Sequence, residues 1–214
     1  MAFIVVLVGW VFSLCLHEFS HALAAYYGGD WTVREKGYLT FNPLKYTHPI
    51  YSLLLPLLFL VMGGIGLPGG AVYIETWRLR GKNWRTLVSL SGPASNLLLA
   101  IILALVLRFA PPTDSGIWAG LAFLALLQVT AVVLNLIPVP PFDGFNAIEP
   151  YLPYHIQEKV AQTRGMFIWI VFLVLWYVPF VSDLFWGLIF FIARLLGIPL
   201  QLAVMGLDLF QFWR

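Results

Sequence analysis

The chain has 214 residues, 61% of them hydrophobic and 10% charged, and its mean hydropathy is +0.88. Soluble domains carry about 25% charged residues, so this composition describes a chain whose main solvent is lipid. A formal net charge of +2, with the basic residues spread over short connections, excludes a nucleic-acid-binding surface, and the lone Cys15 excludes an internal disulfide.

The Leu-rich and aromatic-rich runs can satisfy their backbone polar groups in lipid as helices, and nothing alternates as the strands of an outer-membrane barrel do. The expected class is an all-α polytopic membrane protein. Cys15 is expected to be a buried core thiol.

Ala2 to about Tyr27 reads as the first membrane helix, ended by Gly28-Gly29-Asp30 and long enough to cross with some tilt. It lacks the basic start and small-residue cleavage pattern of a signal peptide. Near its end stands His17-Glu18-Phe19-Ser20-His21. Two imidazoles one turn apart can share a zinc ion, and the adjacent carboxylate can take a proton from water activated by the metal. A soluble metalloprotease would keep this helix in a water-filled cleft. Here the sixteen preceding residues carry no charged side chain, which predicts chemistry at membrane depth.

Trp31 to Pro49 is more polar, with Val33, Tyr38, Leu39 and Phe41 set between polar residues, a pattern that predicts a short interfacial β hairpin. Ile50 to Met62 is strongly apolar but is interrupted by Pro56 and followed by the glycine-rich run Gly63 to Gly70. It can cross the membrane, or enter and turn back. Arg34, Lys36 and Lys45 precede it, and Arg78, Arg80, Lys82 and Arg85 follow it. A full crossing would leave a basic loop on each side, so the positive-inside tendency favours a re-entrant or broken hairpin. The glycine run itself fits either a mobile approach to the site or a fixed close-packing turn.

Thr86 to Phe109 and Ile117 to Ile137 read as two further membrane helices, joined by Pro111-Pro112-Thr113-Asp114 and expected to pack antiparallel. On the first of them Ser91, Gly92, Ala94 and Ser95 offer small surfaces for a neighbouring helix, and Pro93 marks a bend. Asn96 is its polar exception, suited to a cross-helix hydrogen bond or to contact with a substrate backbone. Met166 to Phe180 and Leu184 to Leu196 follow, as two tilted spans or one packed hairpin. Pro199 to Arg214 is expected to lie along the interface.

With Ile50 to Met62 re-entrant, the first helix runs from the outer side to the cytosol. Nine basic residues, from Arg34 to Arg164, then occupy cytosolic connections. His17, Glu18 and His21 and the segment after Ile137 both approach that side. In that segment Asp143 follows Asn135-Leu136-Ile137-Pro138-Val139-Pro140-Pro141-Phe142 and precedes Gly144. The prolines make a continuous helix improbable, so the chain can turn this carboxylate inward. Two imidazoles and one carboxylate leave a fourth tetrahedral position free, a catalytic coordination pattern for one Zn2+ ion. Glu18 lies one residue from His17, off the His17 and His21 stripe, and is expected to act as the base that activates water. Histidines at helical spacing can also pair in a core, and an aspartate can simply cap a turn. Taken together in hydrocarbon these readings leave too many polar groups without partners. His48 and His155 lie in polar connections and stay outside the ligand set. Asn135 can bond an extended substrate or orient the proline-rich turn.

These motifs together closely resemble the site-2 protease family of intramembrane zinc metalloproteases, peptidase family M50. The resemblance rests on His17-Glu18-Phe19-Ser20-His21 with Asn135 through Gly144, supported by Ser91-Gly92-Pro93-Ala94-Ser95-Asn96. It implies zinc ligation by His17, His21 and Asp143, water activation by Glu18, and accommodation of substrate by Asn135. The Asn96 helix would belong to the same core. Ser20 stands where many members have glycine, which bears on how closely helices approach there.

The resemblance further implies hydrolysis of peptide bonds within or near transmembrane segments, in a single-span membrane protein or peptide. Members often act after an upstream protease has shortened the substrate, in regulated intramembrane proteolysis. A regulatory membrane protein is a further expected partner, besides the lipid bilayer. The expected organisation is one membrane-embedded metalloprotease domain over residues 1–214. Residues 1–144 form its catalytic core, and 145–214 form a C-terminal membrane hairpin and amphipathic tail. The expected location is a prokaryotic cell membrane, with the active site toward the cytosol. The competing reading is a noncatalytic membrane binding protein or chaperone with a structural metal site. A transporter would need a second polar transfer site and an inverted repeat, neither of which the sequence offers.

Overall fold

The computed structural model describes residues 1–46, 72–109 and 116–213. The central helices are α1 (Ala2–Gly28), α3 (Lys82–Leu107) and α4 (Gly116–Asn135), each packed against the other two. Between the first two lies the short α2 (Thr32–Glu35). After α4 come α5 (Asp143–Ile148), α6 (Tyr154–Tyr177), α7 (Pro179–Leu196) and α8 (Leu200–Phe210). Four of these, α1, α3, α4 and α7, are long and apolar enough to cross a membrane, and the chain is a multi-pass membrane protein.

α1 is apolar on all sides, so hydropathy does not mark its inner face. The structure does: Ala2, Val6, Trp10, Leu14, His17, His21, Ala25 and Gly28 are buried, a stripe stepping by three or four residues as a helix of 3.6 residues per turn requires. The two histidines are therefore the polar members of an otherwise packed seam. α1 ends at Gly29, whose φ of 122° belongs to the region glycine tolerates. A Cβ there would come within 2.8 Å of the Arg78 carbonyl oxygen, and Arg80 N–H donates to the Gly28 carbonyl at 2.9 Å. The chain entering α3 thus starts from the end at which α1 stops.

The expected interfacial β hairpin is not formed among the described residues 31–46, which hold only α2 and a 3-10 turn at Pro43–Lys45. The Asp30 side chain decides this, because its Oδ1 accepts from Thr32 N–H at 3.1 Å and from the Thr32 hydroxyl at 2.6 Å. That starts a helical turn instead of a strand, and Gly37 ends the turn with φ 76°. Of the apolar residues read as strand positions, Val33 and Tyr38 are buried together with Tyr46 and with Cys15, Ala22 and Ala25 of α1, and Leu39 packs against them, whereas Phe41 stays exposed. Cys15 is the buried core thiol expected of it.

The segment Ile50 to Met62, the glycine run, His48 and the Pro111-Pro112-Thr113-Asp114 connection lie outside the described residues. The residues flanking the first gap meet one stretch of α1. The Tyr46 hydroxyl is 3.1 Å from the Cys15 carbonyl oxygen, and Val72 N–H donates to Glu18 at 3.1 Å.

α6 begins at Tyr154, well before the apolar stretch expected to start at Met166, and packs on α7 across Val178. α8 packs on α4. Its Ala203, Gly206 and Phe210 are buried, and Phe210 stacks on Phe3 of α1 with ring centroids 5.3 Å apart.

Candidate metal centre

α4 ends at Asn135, two residues before the expected end at Ile137, and the proline-rich turn carries the chain into α5. Gly144 presses against the end of α4: a Cβ there would lie 2.9 Å from the Ile137 carbonyl oxygen and nearer still to that of Leu136. Two contacts tie the far end of this unit to α3, from the Thr86 hydroxyl to the Ala147 carbonyl at 2.7 Å and from the Tyr151 hydroxyl to Asn83 at 2.8 Å. Asp143, at the start of α5, is thereby held over α1.

The result is a three-group cluster of His17, His21 and Asp143 capable of holding one metal ion. The two Nε2 atoms are 3.0 Å apart, and Asp143 Oδ2 lies 3.3 Å from that of His17 and 3.4 Å from that of His21. The other imidazole nitrogens are engaged. His21 Nδ1 meets the Val88 carbonyl oxygen at 2.7 Å, an acceptor only, so Nδ1 carries the proton. His17 Nδ1 meets Asn96 Oδ1 at 2.9 Å and donates in the same way. Both Nε2 lone pairs therefore point at each other and at Asp143 Oδ2, a buried oxygen with no hydrogen-bond partner.

Three converging lone pairs repel one another unless a cation lies between them. A single proton can serve only one pair, whereas a metal ion meets all three. Bonds of about 2.0 Å in tetrahedral array put donor atoms about 3.3 Å apart, which the three separations match. The donor set of two neutral imidazoles and one carboxylate also suits zinc.

Gly92 of α3 makes the close approach possible. A Cβ at this position would lie 2.6 Å from His17 Nε2 and closer to His21 Nε2. The sequence marked this run only as generally small. Ser20 imposes no such crowding: its hydroxyl donates to the Leu16 carbonyl of its own helix at 2.7 Å. The side chain lines a groove of about 700 Å³ with Leu23, Tyr27, Trp84 and Ser91.

Glu18 is buried beside His17 but is not among the three converging groups. Its Oε2 accepts from the Val72 backbone N–H. Of the two roles considered for Asn96, the structure contains the cross-helix hydrogen bond. Asn135 is buried at the last turn of α4, and His155 is exposed at the start of α6. Sequence reasoning missed Val88 and Val72, because both act through the main chain and no side-chain pattern reports them.

The chain is similar to several known proteins. Rip2 of Mycobacterium tuberculosis is 46% identical over 212 residues, covering 99% of this chain and 81% of the relative. Rip2 of Mycolicibacterium smegmatis is 45% identical over 214 residues with the same coverage. YwhC of Bacillus subtilis is 32% identical over 191 residues, covering 84% of this chain and 83% of the relative. All three are named as zinc metalloproteases. No family model and no solved structure matches the chain. Identity at this level across almost the whole sequence, together with the buried His-His-Asp cluster, shows that the chain belongs to the zinc metalloprotease family that includes Rip2 and YwhC.

Proposed function

We propose that this protein is an intramembrane endopeptidase of the site-2 protease type, hydrolysing peptide bonds within or near transmembrane segments of membrane proteins. The observation that carries the reading is the convergence of three lone-pair donors at 3.0, 3.3 and 3.4 Å on an apolar seam, with a carboxylate one residue away. In this reading His17, His21 and Asp143 hold one zinc ion. When bound, zinc polarises a peptide carbonyl and makes water acidic enough to be deprotonated near neutral pH.

The residues of the chain supply the remaining steps. Glu18 takes the proton from the attacking water and returns it to the departing amine. Asn96 and the Val88 carbonyl hold the imidazoles in the tautomer that presents Nε2. Asn135 accommodates the extended substrate, which must have left its helix locally so that the scissile carbonyl is free. A single-span protein, already shortened by an upstream protease, fits a site buried in the bundle.

Residues 1–144 contain every group of this set and form the catalytic core, with the hairpin α6–α7 and the amphipathic α8 as its C-terminal support. We assign the α1 C-terminal end to the cytosolic side of a prokaryotic membrane. In support, Lys36 and Arg78 bind the same Glu75, so basic residues from before and after the first gap gather at one end.

The test is reconstitution of the purified protein with single-span substrates and identification of the new termini by mass spectrometry. Zinc-dependent cleavage lost in Glu18→Gln and in Asp143→Asn, with folding intact, is the expected result. Cleavage retained in Glu18→Gln would remove the general-base role. A fully zinc-loaded protein that cuts no substrate would favour a structural metal site.

A further inference from the structure

Residues 72–75 form a short strap, in neither helix nor strand, that leads into the 3-10 turn at Thr76–Arg78. One end of the strap meets the candidate base, through Val72 N–H on Glu18 Oε2 at 3.1 Å. The other end is clasped by charge. Glu75 Oε1 accepts from Lys36 Nζ at 3.0 Å and Oε2 from Arg78 Nε at 2.6 Å. Glu75 N–H donates to Asp30 Oδ2 at 2.7 Å, and Lys36 Nζ also reaches the Tyr73 carbonyl at 3.3 Å. Asp30 is fully buried, and its other oxygen is engaged by Thr32. Arg78 in turn lies 4.8 Å from the Trp31 ring centroid and 4.1 Å from that of Trp77.

Three residues of chain span at most about 10 Å, so the clasp stands no farther than that from Val72. A tether this short transmits position: where Glu75 is fixed, Val72 N–H is fixed too. A carboxylate otherwise rotates about its terminal torsion over a broad range. Holding Oε2 on a backbone donor restricts that rotation and leaves Oε1 as the oxygen not taken up by this bond.

We propose that Glu75 is a positioning residue for Glu18, acting through a clasp with Asp30, Lys36 and Arg78 that holds the 72–75 strap and so orients the carboxylate that accepts the water proton. The proposal rests on the hydrolase reading for its catalytic consequence, but the mechanical link can be measured without cleavage. Glu75 is partly exposed and touches no member of the metal cluster, so its substitution tests the link without removing a ligand.

The experiment uses the full-length, zinc-loaded protein and its Glu75→Gln and Glu75→Asp variants, read by zinc content, by kcat and KM on a single-span substrate, and by amide exchange at residues 72–75. In Glu75→Gln we expect zinc content and KM to stay as in the wild type. The kcat should fall by about tenfold to a hundredfold, the range set by small misplacements of a catalytic group, and exchange at Val72 should speed up. Glu75→Asp keeps the charge and should recover part of both losses. An unchanged kcat in Glu75→Gln, or unchanged exchange at Val72, would overturn the proposal. A wild-type protein that cleaves nothing would defeat the hydrolase reading and the catalytic part of this one. Protection at Val72 that is lost in Glu75→Gln would then still uphold the clasp.

Discussion

Gly92 of α3 lies against the imidazole of His17 so closely that a methyl group added to it would sit 2.6 Å from Nε2. Real side chains do not tolerate that distance, and the atoms met are those of buried rings held by Asn96 and Val88. Gly92→Ala should therefore push the imidazoles off the cluster or the helices apart. Overpacking of this kind costs about 1–3 kcal/mol of stability. The expected outcome is a lower unfolding temperature in detergent together with a large loss of bound zinc. A Gly92→Ala protein with full zinc occupancy would show that the helices can separate without moving the ligands.

The Asn96 contact makes a separate claim about His17. Removing a buried partner of a metal-bound histidine typically costs 10-fold to 100-fold in metal affinity, and Asn96→Ala should weaken zinc by about that factor in a competition titration. Asn96→Asp keeps an acceptor facing Nδ1 and should lose less affinity than Asn96→Ala. Equal affinities for Asn96→Ala and the wild type would mean that His17 keeps its orientation from packing alone.

The residues of the His-His-Asp cluster were legible because ionisable groups are rare in this chain, so those that do occur on apolar segments stand out. His17, His21 and Asp143 were each marked by context before any contact was known, and the structure brings them together. What holds them was less legible for physical reasons. Val88 and Val72 contribute main-chain groups, and Gly92 contributes the absence of a side chain. The helices of the core were found to within a few residues, since length and hydropathy suffice in lipid. The segment after Trp31 was misread because Val33, Tyr38, Leu39 and Phe41 stand among polar residues as in a short half-buried hairpin, while the local bonds of Asp30 to Thr32 select a helical turn. The face that α8 presents to α4 was likewise invisible, because lipid and protein interior favour the same apolar side chains.

The clasp also predicts a pH dependence. Hydrogen bonds from Arg78 and then Lys36 bring the Glu75 carboxyl down to about 2 from its usual 4.5. A depressed folded-state value means that the contribution is complete above the unfolded value and is lost as pH falls through the folded one. The difference in unfolding temperature between the wild type and Glu75→Gln should thus be full above about pH 5. It should shrink as the pH drops below 4.5 and disappear only below about pH 2. A difference that persisted unchanged at pH 2, or that grew on acidification, would show that Glu75 does not stabilise the fold as a carboxylate.

Phe3 separates burial from contact at the other end of the bundle. Both Phe210 and Phe212 meet its ring, at centroid distances of 5.3 and 5.5 Å, so an argument from aromatic pairing alone would rank them equally. Their surroundings differ: Phe210 is 0% exposed and Phe212 71% exposed. Phe210 also sits one helical turn beyond Gly206, where a Cβ would lie 2.7 Å from the Ala119 carbonyl carbon, so α8 has no freedom to close a gap. Phe210→Ala should then cost about 3–5 kcal/mol, the usual range for an emptied aromatic site. Phe212→Ala should lose at most the pairing itself, about 0.5–1.5 kcal/mol. Unfolding of the two variants in the same detergent gives the comparison. Similar losses would mean that α8 is held by its aromatic contacts and not by the close fit at Gly206, and that the C-terminal helix can repack on α4.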